Sequence, residues 1–282
     1  MDASGFKDAF DATTDSALAW LGDNAAALFD AARAALEGLY GGVLWLLLLV
    51  PFYAVAVALA VLGWRLVGAW FGVAAAVALA LCAAMGLWPE TMSTLALVIT
   101  ATFLALLVAL PAGVVAGFVP ALDRAVEPVL DLIQTMPPYI YLLPAIALLG
   151  YGPATALLAT VVVAVPPALR LTALGIRMTP NEYVELGKAS GLTGSQMFFK
   201  IRLPFAMPSI MAGVNQSLMV AFGMVVIAGI VGSGGLGETI YKAIRTLDIA
   251  RAIDAAIAIV VLTIVLDRLT QSASRLGRGG AA

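Results

Sequence analysis

Residues 93–118 read STLALVITATFLALLVALPAGVVAGF, 26 positions without a charged side chain. As a helix rising about 1.5 Å per residue, this run outreaches the ~30 Å of a bilayer's hydrocarbon core. In lipid the backbone must satisfy its own hydrogen bonds, which leaves helices and closed barrels. The run does not alternate in polarity as a barrel strand does, so it reads as a transmembrane helix. Working outward, similar runs occupy 43–62, 66–87, 137–151, 154–174, 207–232 and 252–268. The span 137–151 is short and flanked by prolines, and 252–268 opens beside Arg251 and Asp254. The chain reads as an all-α integral membrane protein of about seven transmembrane helices.

Composition agrees. Of 282 residues, 62% are apolar and 11% charged, whereas a soluble domain carries roughly 25% charged residues. There is no histidine, and the single cysteine, Cys82, lies in an apolar run where it reads as a packing residue. A zinc site and an internal disulfide framework are both excluded. No metal site, bound cofactor or catalytic group is expected, so the chain reads as a non-enzyme.

Residues 1–38 carry seven acids and two bases, and they lack the basic start and immediate apolar stretch of a secretory signal. Phe6, Phe10, Ala17, Leu21, Leu28 and Ala35 recur at helical intervals among the acids, which predicts one or two amphipathic helices along the membrane surface, the competing reading being a partly disordered acidic tail. The chain divides into an acidic amphipathic tail (1–42), two plain scaffold spans (43–92), a working core (93–270) and a short tail (271–282). Prolines cluster in the core, where kinked helices are tolerated at packed or water-lined places.

With seven spans and an external N-terminus, ten of the 15 bases fall inside, among them Arg170, Arg177, Lys188, Lys200 and Arg202. The positive-inside rule therefore predicts an external N-terminus and a cytoplasmic C-terminus. The loop 119–136 dissents, with Asp123, Glu127 and Asp131 against Arg124.

The long polar interruption is RMTPNEYVELGKASGLTGSQMFFKIRLPFAMPSIMAG at 177–213. Thr179 and Glu182 offer one capping box, with Pro180 in the first turn. Gly191 suits a left-handed cap, and Thr193 with Gln196 offers a second capping box. Pro204 is expected to end the second short helix and Pro208 to open the next span. A mere connection needs only a few residues, so an ordered helix–turn–helix here predicts a docking element.

Glu185, Gly191, Ile201, Leu203 and Pro204 match the spacing of the EAA signature, and the chain resembles the permease subunits of ABC importers. ELGKASG at 185–191 departs mildly, with Leu186 and Gly187 where alanines are usual. The segments LDLIQTMPPYIYLLPAIALLGYG (130–152), GVNQSLMVAFGMVVIAGIVGSGGLGE (213–238) and LDRLT (266–270) resemble glycine betaine/proline permeases of the osmoprotectant uptake family. The likeness covers about 93–270 and implies a type I ABC importer permease core in a bacterial cytoplasmic (inner) membrane. It implies that Glu185, Leu186, Gly187, Lys188, Ala189, Gly191, Ile201, Leu203 and Pro204 belong to a coupling loop, 177–205, that docks into a separate ATPase. It further implies two ATPase copies carrying ATP and Mg, an external solute-binding protein and a permease homodimer. No nucleic acid is expected. The solutes implied are glycine betaine, proline betaine, choline or related quaternary ammonium compounds.

A quaternary ammonium cannot donate hydrogen bonds and suits aromatic faces. Tyr139 and Tyr141, beside Gln134, Thr135 and Met136, and Asn215, Gln216 and Met219 on the sixth span are candidates for the pathway. The competing reading makes the tyrosines interfacial anchors and the amides interhelical bonds. Gly232–Gly237 fits G-x-G-x-x-G but follows a membrane span rather than a strand, so it reads as a turn. The rival function is an ion-gradient-driven secondary transporter of small zwitterions, which would need intramembrane charges; Glu90, Asp254 and Asp267 fall near predicted span ends.

Overall fold

A computed structural model describes residues 3–276, with side chains from 7 to 272 apart from six positions between 9 and 23. The side chains of Phe6, Phe10, Ala17 and Arg275, and the tail residues 277–282, lie outside the described set. Among the described residues every regular element is a helix. They are α1 (Ala3–Asn24), α2 (Ala26–Leu49), α3 (Phe52–Leu66), α4 (Ala69–Ala84), α5 (Trp88–Phe118), α6 (Pro120–Thr135) and α7 (Tyr139–Leu149). There follow α8 (Pro153–Arg177), α9 (Asn181–Ala189), α10 (Gly194–Met197), α11 (Leu203–Ala228), α12 (Gly235–Thr246) and α13 (Ile249–Leu276).

Five described stretches are long and apolar enough to cross a membrane, and the bent pair α6–α7 makes a sixth. The predicted spans 93–118, 154–174, 207–232 and 252–268 fall within α5, α8, α11 with its short 3₁₀ extension, and α13. The predicted span 137–151 is the 11-residue α7, set at 97° to α6 across Pro137 and Pro138. Neither proline can donate to a helix, and each pushes the residue before it towards extended backbone.

The scaffold prediction needs correction. The span 43–62 is cut at Val50, which is extended (ψ 127) because Pro51 follows it. Spans 43–62 and 66–87 become the end of α2 and a hairpin, α3–α4, that turns at Gly68 (φ 144) and ends at Gly86 (φ 68). The hairpin arms have 15 and 16 residues, or about 22–24 Å, less than the hydrocarbon thickness. Gly63 and Gly72 let them approach: a Cβ on Gly72 would meet Ala60 O at 2.7 Å.

Long-range contacts define the two ends of the bundle. At one, Phe118 stacks near Phe198 (6.0 Å) beside α9 and α10. At the other, Glu90 pairs with Arg251 (3.6 Å) and Thr94 Oγ1 accepts from Leu236 N–H (2.8 Å). α2 belongs to this α12 end: Tyr40 Oη bonds Ser93 Oγ (2.6 Å), and Phe52, just beyond α2, meets Trp88 (6.0 Å). α2 therefore runs across that end and does not pass through to the α9 end.

The centre is a slab of α5, α8 and α11 with α8 in the middle. Small residues set the spacing. A Cβ on Gly113 would stand 2.7 Å from Leu169 O, and one on Gly175 3.0 Å from Ala206 O. The main core gathers Met92, Leu95, Val98, Leu157, Phe222, Met224 and Leu262.

Candidate functional site

The polar loop between α8 and α11 folds as two short helices with defined ends. α9 opens at Pro180 (ψ 135), so Thr179 lies one residue too early to cap it. The Thr179 hydroxyl instead donates to Ile176 O (3.0 Å), and the first predicted capping box does not form. Glu182 in the first turn and Lys188 in the last still complement the helix dipole. The C-terminus closes as a Schellman motif: Gly191 N–H donates to Lys188 O and Leu192 N–H to Gly187 O, both at 3.0 Å. Gly191 has φ 71, as that motif requires. The second capping box forms, with Thr193 N–H donating to Gln196 Oε1 (3.0 Å) and Gln196 N–H to Thr193 Oγ1 (3.3 Å).

Gly187 is buried, and a Cβ there would stand 2.6 Å from Met197 Cε and 2.8 Å from Ile201 Cδ1. α9 is thus seated on α10 and the turn that follows, helped by the Tyr183–Phe205 ring contact (4.6 Å). The nine predicted loop residues divide by role. Gly187, Ile201 and Leu203 face inward or sit half-buried, whereas Glu185, Leu186, Lys188, Ala189, Gly191 and Pro204 are exposed. Leu186 at 63% exposure, with Met178 (70%) and Phe199 (62%), gives this end an apolar surface that water does not favour.

Pro204 does not end a helix, contrary to expectation. Residues 194–231 run on as one rod through a π-helical turn at Phe198–Arg202, where Leu203 N–H reaches Phe198 O. The wider turn accommodates Pro204, which cannot donate and would crowd the preceding turn of an α-helix. The turn is clasped to α5, because the Arg202 guanidinium lies 4.7 Å from the centre of the Phe118 ring.

The candidate pathway residues do not form one group. Gln134 and Met136, with Ile133, Pro138, Val163 and Val220, line a hollow of about 350 Å³ at the α6–α7 bend. Tyr141 Oη donates to Ile133 O (2.7 Å), and Thr135 donates back to Asp131 O (2.9 Å). Tyr139 is 55% exposed on the bundle surface. Asn215 instead turns to α13 and donates to Asp267 Oδ1 (3.1 Å), which Gln271 also reaches at 2.8 Å. Gln216 and Met219 are exposed. Asp267, expected near a span end, lies well within α13 because that helix runs to Leu276.

Sequence reasoning missed the links between α6 and α8. Arg177 pairs with Asp123, and Arg170 pairs with Asp131 while donating to Gln134 Oε1 (2.8 Å). Two of the three acids that opposed the charge rule in 119–136, Asp123 and Asp131, are therefore paired with bases of the neighbouring span. The signal was present: Asp123 and Asp131 are eight apart and Arg170 and Arg177 seven apart, so each pair shares a helix face.

Such a bundle, with kinked spans and a polar loop ordered by a Schellman motif and a capping box at one end, is that of a polytopic membrane protein. Residues 109–275 match the family described as "Binding-protein-dependent transport system inner membrane component", and the chain belongs to that family, the permeases of ABC importers. It is 39% identical over 92% of its length, and 73% of the relative's, to the Escherichia coli protein "Glycine betaine/proline betaine transport system permease protein ProW". It is 36% identical over 93% of its length, and 94% of the relative's, to the Bacillus subtilis "Glycine betaine transport system permease protein OpuAB". Among solved structures it resembles an inward-facing MetNI methionine ABC transporter, with TM-score 0.58 and 25% identity. That match covers 70% of this chain and 96% of that one.

Proposed function

We propose that this permease imports glycine betaine and related quaternary ammonium solutes, with α9 as its coupling helix. The observation that carries the coupling role is the exposed face of Glu185, Leu186, Lys188 and Ala189 on a helix rigidly seated through Gly187. Helix-in-groove docking on an ATPase suits that face. Two ATPase subunits, carrying ATP and Mg, drive a homodimer of this chain, and an external binding protein delivers solute. Coupling requires that the ATPase bind the two transporter states differently. The solute class is supported by the names of the relatives above, and by a choline permease, OpuBB of Bacillus subtilis, at 32% identity.

The α9 end is read as cytoplasmic. Arg124, Arg170, Arg177, Lys188, Lys200 and Arg202 gather there, and Arg33, Lys242, Arg245 and Arg251 lie at the α12 end. On this reading α1 and α2 are external and α13 ends in the cytoplasm.

The test is reconstitution with the ATPase and the binding protein, measuring uptake of labelled glycine betaine with choline, proline betaine and proline as competitors. ATP-dependent uptake is expected, with no accumulation by the permease alone. Accumulation driven by an ion gradient in the absence of the ATPase would overturn the proposal in favour of a secondary transporter. Thiol labelling of Leu186→Cys from the cytoplasmic side, and of Lys242→Cys from outside, in a Cys82→Ala background checks the orientation.

A further inference from the structure

Arg65 is the only charged residue between Glu37 and Glu90. It stands in the last turn of α3, where the α3–α4 hairpin reverses. Both ends of that hairpin are held at the α12 end of the bundle: Phe52 meets Trp88 (6.0 Å), and Arg251 Nη1 donates to Met85 O (3.4 Å). Arms of 15 and 16 residues carry the turn at most about 24 Å from that end. Their outward faces are apolar, with Val57, Leu62, Val73 and Val77 all exposed, so the arms belong in hydrocarbon rather than along its surface.

The hairpin therefore stops about 6 Å short of the far side of a ~30 Å hydrocarbon core, and it carries a guanidinium at its tip. A charge at that depth is costly unless it meets a counter-charge. Arg65 is exposed and makes no ion pair among the described residues. On α13, against which the hairpin packs, Asp267 is already engaged by Asn215 and Gln271. A long side chain bridges such a shortfall by reaching towards the headgroups. Trp64 and Trp70, 63% and 89% exposed, flank the turn, and indoles favour the headgroup level. Val61, Trp64 and Arg65 line a hollow of about 400 Å³ beside them. The anion available at that level is a lipid phosphate, which a guanidinium fork grips with two hydrogen bonds.

We propose that Arg65, flanked by Trp64 and Trp70, binds the phosphate of a phospholipid in the leaflet at the α9 end, with an acyl chain lying along Val61 in the hollow. The short hairpin draws that leaflet inward to meet it. An anionic lipid fits better than a zwitterionic one, whose own ammonium competes for the phosphate. The site stands whichever solute the permease carries.

The test uses the assembled permease–ATPase complex, in a Cys82→Ala background, in phosphatidylcholine vesicles. A bimane label on Val61→Cys reports the hollow, and one on Leu81→Cys, 49% exposed near the other end of the hairpin, serves as control. Phosphatidylglycerol or phosphatidylcholine with brominated chains is then added as quencher. At position 61 the phosphatidylglycerol is expected to reach half-quenching at about a fivefold lower fraction than the phosphatidylcholine, with no such preference at position 81. Arg65→Gln, which breaks no ion pair, should abolish the preference, and Arg65→Lys, which keeps the charge, should retain most of it. Equal quenching by the two lipids at position 61, the same preference at both positions, or a preference unchanged in Arg65→Gln would overturn the site. Inorganic phosphate in the medium is expected to leave the quenching as it was; if it removed the preference, Arg65 would belong to a dissolved anion and the lipid assignment would fall.

Discussion

Gly187 and Met197 occupy what is nearly one space, since a Cβ on the glycine would stand 2.6 Å from the methionine Cε. Both obstructing groups, Met197 Cε and Ile201 Cδ1, are ends of flexible side chains, so Gly187→Ala should be tolerated. Gly187→Leu should overpack the seat of α9 by about 1–3 kcal/mol. Adding Met197→Ala to Gly187→Leu should recover most of the loss. The measurement is ATP-driven uptake at equal abundance; failure of the second substitution to restore it would mean that the seat does not govern coupling.

Glu185 and Gly191 separate docking from folding. Glu185 is exposed, so Glu185→Lys alters a surface without disturbing packing. Gly191→Asp forces a side chain onto φ 71, at a cost of about 1–2 kcal/mol. Both variants should insert and lose uptake, and Gly191→Asn should retain more than Gly191→Asp. An inserted Glu185→Lys chain that stimulated its ATPase like the parent would end the coupling assignment.

The Asp123–Arg177 pair is partly exposed, with side-chain exposures of 19% and 40%. Solvent screening limits it to at most about 1 kcal/mol. Asp123→Ala should raise thiol labelling of Val126→Cys a few-fold, and the swap Asp123→Arg with Arg177→Asp should bring it back. Labelling that ignores both changes would show α6 to be held by its apolar face alone.

Burial pushes the Glu238 carboxyl up, but the Lys242 ammonium, the Gly234 N–H and the charge of Lys242 outweigh it and hold the group below its usual range. A carboxyl lowered in the folded state adds stability above its unfolded pKa, and loses it as pH falls through the lowered value. Protection of Ala243→Cys on α12 should therefore stay flat from about pH 8 to about pH 5 and fall only in stronger acid. Glu238→Gln should remove that acid step; a transition near neutrality would contradict the assignment.

Asn215→Asp would set a second carboxylate against Asp267, whereas Asn215→Leu only removes a donor. The aspartate should therefore lower the melting temperature of the purified complex more than the leucine does. If the leucine variant alters solute preference while melting like the parent, Asn215 acts on the pathway beyond its bond to α13.

Helices that bury apolar surface throughout were legible from composition, because long uncharged runs in lipid have few structural choices. Gly191 and the Thr193–Gln196 box were legible because the interactions are local. What escaped was either long-range or decided by one proline. The pairing of Asp123 with Arg177 joins residues 54 apart. The failed Thr179 cap turned on whether Pro180 stood inside or before the helix. The break at Val50 escaped because the apolar run 43–62 continues through Pro51 without a charged residue to mark it.

The π-helical turn at Phe198–Arg202 has a consequence for phase. An α-helix advances about 100° per residue, and a π turn absorbs one extra residue without breaking the rod. Deleting one residue there would leave every side chain of α10 and α11 in place by identity, yet swing α10, and α9 seated on it, about 100° around α11. The direction in which Leu186 points is thus set by a single surplus residue at the base of a 38-residue rod.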